Sequence, residues 1–209
     1  MSTVRPPAAP IRFYRHLLSG HAHRVELFLN LLGLPFEAID VDLLRGAHKQ
    51  PEFLARNPFG QVPVIEDGEL TLADSNAILV YLARRYDPDG TWLPADAVGA
   101  AQVQRWFSAA AGLLVNGPGN ARLARLFGRP SEPRCAEVAA QLFGVMEAEL
   151  ATAPWLASTD APTLADLALY TYTAHAPEGG ISLEPYPHVR AWLARVEALP
   201  GFTGMLRQG

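Results

Sequence analysis

The stretch 57–79, NPFGQVPVIEDGELTLADSNAIL, constrains the fold of this chain more than any other. QVPVIE (61–66) and ELTL (69–72) flank Asp67-Gly68, a pair suited to the positive φ values of a tight hairpin turn. A helical pattern, DSNAILVYLARRY (74–86), follows at once, with Ile78, Leu79 and Leu82 on one side. Pro63 stands at the mouth of the first strand. Proline cannot donate to a sheet ladder, so it marks an edge, a bulge or an unusual peptide bond. A cis bond between Val62 and Pro63 would turn the Val62 N–H and C=O out of the ladder, where an extended ligand backbone could pair with them. A trans proline on an edge strand is the other reading, and spacing alone leaves both open.

Upstream, IRFY (11–14) is strand-like, and HAHRVELFLNLLGL (21–34) has helical spacing with Gly33 near its end. FEAIDVDL (36–43) alternates like a strand, and QPEFLARN (50–57) is a short helical turn. The order β-α-β-α-β-β-α implies a parallel pair extended by an antiparallel hairpin. Residues 87–96, DPDGTWLPAD, read as a linker, and 1–10 as an N-terminal tail. Beyond the linker no strand pattern persists. Helices are expected near 97–116, 133–151, 164–176 and 186–199, with Pro200-Gly201 ending the last. The expected organisation is thus an α/β domain over 11–86 and an all-α domain over 97–206. Thr163-Leu-Ala-Asp166 forms a capping-box signature at the start of one of these helices.

Composition narrows the classes. A chain of 209 residues, 49% hydrophobic, can build one large core or two modest ones. A formal net charge of −4 gives no footprint for nucleic acid or anionic membranes. Cys135 is the one cysteine, so no intrachain disulfide and no cysteine-held metal is expected. In its helical pattern with Val138, Leu142 and Met146 it reads as a buried structural thiol. No apolar run reaches the length of about 18 residues that a membrane helix needs. The start, MSTVRPPAAP, lacks the apolar core of a signal peptide, and a cytoplasmic location is expected.

GLPFE after the first helix, GAHKQPEFLARNPFGQVPVIEDG, and LADSNAILVYLARRY occur together in this order. With the helical remainder and its capping box, nearly the whole chain resembles the cytosolic glutathione S-transferases. Among their classes it is most similar to the serine-type theta, phi and related bacterial enzymes. The resemblance implies a thioredoxin-like N-terminal domain, an all-α C-terminal domain, and a cis Val62–Pro63 bond. It implies glutathione as co-substrate, no metal, a hydrophobic electrophile as second substrate, and a homodimer. The absence of any cysteine before Cys135 argues against the omega and beta classes.

Site residues follow from the same resemblance, each with its chemistry. Asp74 would take the γ-glutamyl ammonium, although the family more often has Glu there. Ser75, with the unpaired N–H groups of its helix, would take the carboxylate. Val62, before Pro63, would pair with the cysteinyl backbone, and Gln61 would assist. His48 or Lys49 would take the glycyl carboxylate, His48 being preferred. Ser19 lies sixteen residues before Pro35, the spacing of the catalytic serine in the theta-like pattern. It would donate its hydroxyl to the thiolate rather than act as a nucleophile, while plain capping is a compatible task. Tyr14 ranks second as donor; His21 and His23 read as surface histidines, with assistance to the thiol by one of them as the other reading. An electrophile pocket between the halves would draw on Tyr14, Trp106, Ala110 and Tyr172. Phe59 is a loop aromatic that either inserts into a partner subunit or packs locally. Transfer of glutathione to an electrophile leads. Glutathione-dependent isomerisation or dehalogenation, and a non-catalytic interaction or carrier role, are the alternatives.

Overall fold

The computed structural model describes residues 6–130, 132–157 and 160–207; of the expected tail, residues 1–5 lie outside the described residues. The chain forms two compact units, one from Met1–Gly90 with Pro200–Leu206, the other from Thr91–Leu199 with Arg207–Gly209.

The first unit has a four-stranded mixed sheet in the order β2-β1-β3-β4. β1 (Ile11–Arg15) runs parallel to β2 (Phe36–Asp40), and α1 (Gly20–Leu31) crosses between them. A single turn, α2 (Pro51–Leu54), precedes the hairpin of β3 (Val64–Asp67) and β4 (Leu70–Ala73). α3 (Ser75–Tyr86) follows without a gap. This is the expected β-α-β-α-β-β-α order of a thioredoxin-like domain. Phe13 and Ile65 of the sheet are fully buried, as are Val25, Phe28 and Leu29 of α1 and Ile78, Leu79 and Leu82 of α3. Each such side chain removed from water contributes roughly 1.5–3 kcal/mol.

Pro200–Leu206, expected within the helical half, groups with the first unit. Thr203 explains how: its carbonyl accepts from His23 Nε2 at 2.8 Å, and its hydroxyl accepts from Asn30 Nδ2 at 3.2 Å.

The second unit is helical: α4 (Ala97–Ala109), α5 (Asn120–Leu126), α6 (Arg134–Leu150), α7 (Leu164–Ala174) and α8 (Pro187–Glu197). The capping box on α7 is present, with Thr163 N–H donating to Asp166 Oδ2 at 2.8 Å. One element departs from expectation. The first of these helices does not stop near 116 but continues through a π-helical stretch, Ala110–Gly119, into α5. Gly117-Pro118-Gly119 reads as a stop because proline lacks an N–H and crowds the carbonyl four residues back. Wider π winding accommodates it. Gly117 also has to be glycine, since a Cβ there would lie 2.8 Å from the Ala139 backbone nitrogen on α6.

Candidate functional site

Strand register gathers the expected ligand-binding residues at one end of the sheet. Val64 pairs with Tyr14 on one side and Ala73 on the other. The segment before β3, the loop after β1 and the start of α3 therefore meet. The Val62–Pro63 bond is cis. Val62 lies outside the ladder, and among the described residues neither its N–H nor its C=O takes a hydrogen-bond partner. A donor and an acceptor on one residue are thus left for an extended peptide.

Asp74 and Ser75 begin α3. Asp74 has φ 74 and ψ 122, the one positive φ at a non-glycine residue among those described. Its Oδ1 accepts from Ala77 N at 2.9 Å, which caps the helix, and the residue is exposed. Ser75 is buried, and its Oγ accepts from Arg24 Nη1 at 3.3 Å. Arg24 also donates to Asn76 Oδ1 at 2.8 Å. A buried guanidinium therefore stands directly behind the positive end of α3, a place that attracts anions. Arg24 was not singled out from sequence. The available signal was a charge four residues before Phe28, inside an apolar helical stripe.

Ser19 is the N-cap of α1, its Oγ accepting from Ala22 N at 3.2 Å. That bond occupies a lone pair and leaves the hydroxyl proton to be donated elsewhere. No acidic residue stands in the first turn of α1 to offset its positive end. Ser19 and the start of α3 are neighbours, because His21, two residues on, brings its Nδ1 to 3.4 Å from Ser75 Oγ.

Neither His21 nor His23 is an exposed surface group. His23 is buried on its bond to Thr203. Burial, with the charge of Arg24, pushes the His21 pKa down to about 3, so its imidazole is neutral.

His48 and Lys49 lie on a 3-10 turn, Ala47–Lys49, beyond the end of β2. Lys49 Nζ donates to the carbonyls of Gly60 at 3.0 Å and Phe59 at 3.3 Å. Its ammonium thus ties the turn to the loop before Gln61. His48 Nδ1 is buried with no partner among the described residues, and burial followed by the Lys49 charge lowers its pKa. The approach is tight at Gly60, where φ is +58 and a Cβ would meet the His48 carbonyl at 2.8 Å. Gln61 is exposed, and its carbonyl accepts from Asn57 Nδ2 at 2.8 Å. The same buried Asn57 accepts from Phe59 N at 3.1 Å and so holds the whole loop. Asn57-Pro58 is a turn-initiating pair, the one signal by which it could have been found. Phe59 is 80% exposed.

Four residues expected along an electrophile pocket are placed as core. Tyr14 packs with Val41, Phe53 and Val64, and its hydroxyl donates to Glu66 Oε2 at 3.0 Å. Burial, then the Glu66 hydrogen bond, raises its pKa, and the hydroxyl proton is engaged by that carboxylate. Trp106, Ala110 and Tyr172 are buried in the second unit, with Trp106 Nε1 donating to Leu156 O at 2.6 Å. The physical reason is helical phase: Trp106 and Ala110, four apart, share the inward face. A cavity of about 630 Å³ in this unit has Ser108, Gly112, Leu113 and Asn116 in its lining, with Arg134 and Val138 of α6.

Comparison with known proteins gives one consistent result. Residues 9–84 match the family model "Glutathione S-transferase, N-terminal domain", and 128–200 match "Glutathione S-transferase, C-terminal domain". Glutathione S-transferase 3 of Zea mays is 36% identical over 93% of this chain and 92% of its own length. A zeta-class glutathione S-transferase of Euphorbia esula is 44% identical over 46% of this chain and 43% of its own. The crystal structure of a glutathione S-transferase from Pseudomonas fluorescens has a TM-score of 0.88 and 35% identity, covering 95% of this chain and all of that one.

Proposed function

The chain belongs to the glutathione S-transferase family, and on that premise we propose that it transfers glutathione to hydrophobic electrophiles as a serine-type enzyme. Residues 11–86 form the glutathione-binding domain, 87–96 the linker, and the helical part that follows serves the electrophile. The observation that carries this is the Ser19 hydroxyl, held as N-cap of α1 with its proton unspent, beside the start of α3.

The parts of glutathione divide among the residues by charge. The γ-glutamyl carboxylate sits at Ser75 and the N–H groups of α3, and its ammonium at the second oxygen of Asp74. The cysteinyl backbone pairs with the N–H and C=O of Val62, ahead of Pro63, with Gln61 alongside. His48 donates to the glycyl carboxylate; Lys49 acts at one remove, since its ammonium is engaged by the loop carbonyls.

A free thiol has a pKa near 8.5, so only a few per cent is thiolate at neutral pH. A hydroxyl donor and a helix N-terminus each favour the anion. The thiol proton passes to solvent, and Ser19 donates to the resulting S⁻. The sulfur lone pair then forms the new S–C bond, while a leaving group departs with its electrons or the adduct takes up a proton. The same thiolate serves isomerisation or dehalogenation, and substrate screening separates these. The presence of Ser19, Val62-Pro63, Asp74 and Ser75 together favours glutathione binding over the carrier reading. We place the enzyme in the cytoplasm, where one buried cysteine suits reducing conditions, as a homodimer with the exposed Phe59 at the contact.

Titration calorimetry with glutathione tests the binding half of this reading. Heat with saturation below millimolar ligand is expected, and no heat at millimolar ligand contradicts it. Ser19→Ala tests the chemical half: turnover near pH 7 falls by about tenfold or more, while KM for glutathione changes far less.

A further inference from the structure

We propose that His21 is a positioning residue for the carboxylate end of the peptide ligand, holding the Ser75 hydroxyl so that its proton is offered to an incoming carboxylate. The inference rests on reading the start of α3 as the γ-glutamyl carboxylate site.

Ser75 Oγ is approached from two sides. Arg24 Nη1 stands 3.3 Å away and His21 Nδ1 3.4 Å away. A guanidinium can only donate, so Arg24 takes one of the two oxygen lone pairs. With its Nδ1 protonated, neutral His21 donates to the other, and the single Ser75 proton has only the ligand to go to. In the opposite tautomer Nδ1 would accept that proton and compete with the carboxylate. Ligand binding therefore selects the donating tautomer.

His21 is suited to this role by its surroundings. It lies in the first turn of α1, two residues past Ser19, and bridges the starts of α1 and α3. The low pKa keeps it uncharged, so it adds no second buried cation beside Arg24. Its action falls on the carboxylate end and not on the sulfur, since Ser75 is the group it contacts.

The test crosses two protein variants with two ligands. His21→Phe keeps the ring volume and removes both nitrogens. His21→Asn restores an amide near the position of Nδ1. The ligands are glutathione and 4-aminobutanoyl-cysteinyl-glycine, which lacks only the α-carboxylate. By calorimetry, His21→Phe is expected to weaken glutathione roughly three- to tenfold, the range of one hydrogen bond. The carboxylate-free peptide should change less than about twofold, and His21→Asn should recover most of the loss. In turnover, KM for glutathione rises while kcat holds, as removal of uniform binding requires. Equal weakening of both ligands, no weakening of either, or an Asn variant as poor as Phe would overturn the assignment while leaving glutathione binding intact. A wild-type protein that binds no glutathione would instead remove the functional reading, and this inference with it.

Discussion

At the scale of the residue, the donor and acceptor inventory decides roles. His48 and Lys49 are adjacent in sequence, yet the Lys49 ammonium is engaged by the carbonyls of Phe59 and Gly60, while His48 Nδ1 has no partner among the described residues. His48→Ala should therefore raise KM for glutathione several-fold, about what one charge-assisted hydrogen bond gives, with little change in melting temperature. Lys49→Ala should lower the melting temperature as well, and identical behaviour of the two variants would contradict this division. Glu66 supplies a pH prediction. Burial works to raise its pKa, but hydrogen bonds from Arg56 and Tyr14, with the charges of Arg12 and Arg56, bring the net shift below the usual value. A carboxylate depressed in the folded state stabilises fully above its unfolded pKa, about 4.3, and that contribution is lost as pH falls through the folded value. Urea midpoints taken downward from pH 6 should drop faster for the wild type than for Glu66→Gln; parallel curves would rule the linkage out. Ser19, Val62, Asp74 and Ser75 could be proposed from the sequence because the family resemblance points to those positions, and the fold brings the segments that carry them to one end of the sheet. Arg24 and Asn57 could not be proposed, because a side chain that acts from behind a site leaves no pattern of its own.

At the scale of the element, polar groups buried between helices carry the second unit. Asp166 closes the cap of α7 and also accepts from Leu156 N at 3.1 Å and Trp192 Nε1 at 2.8 Å. Thr163→Ala should cost about 1 kcal/mol, the usual worth of an N-cap, read from urea unfolding. Arg122 of α5 is fully buried against Glu178 Oε2 at 2.6 Å, and the other Glu178 oxygen meets His175 Nδ1 at 2.6 Å. Glu178→Ala removes the carboxylate that faces a buried guanidinium, and a loss of about 3–5 kcal/mol is expected. A change below about 1 kcal/mol would show that Arg122 repartners readily. The seven-element α/β pattern and the capping box could be read from periodicity and cap residues. The π stretch could not, because Gly117-Pro118-Gly119 is locally a helix stop, and only packing against α6 makes continuation favourable.

At the scale of the whole molecule, the chain divides into an α/β unit and a helical unit, and in the helical one Trp106, Ala110 and Tyr172 are all buried. The 3.6-residue period identifies a buried stripe but not which of its residues line a pocket, so that part of the site is not legible in the sequence. A homodimer through Phe59 predicts that sedimentation gives about twice the chain mass, and that Phe59→Ser shifts the equilibrium toward monomer. Unaltered association in that variant would move the interface elsewhere. The central claim, that this chain binds glutathione and ionises its thiol through Ser19, is tested most directly by titrating the thiolate absorbance of bound glutathione. The account predicts an apparent thiol pKa about one to two units below the free value in the wild type, returning toward that value in Ser19→Ala with binding retained. The same pKa in both proteins would contradict it.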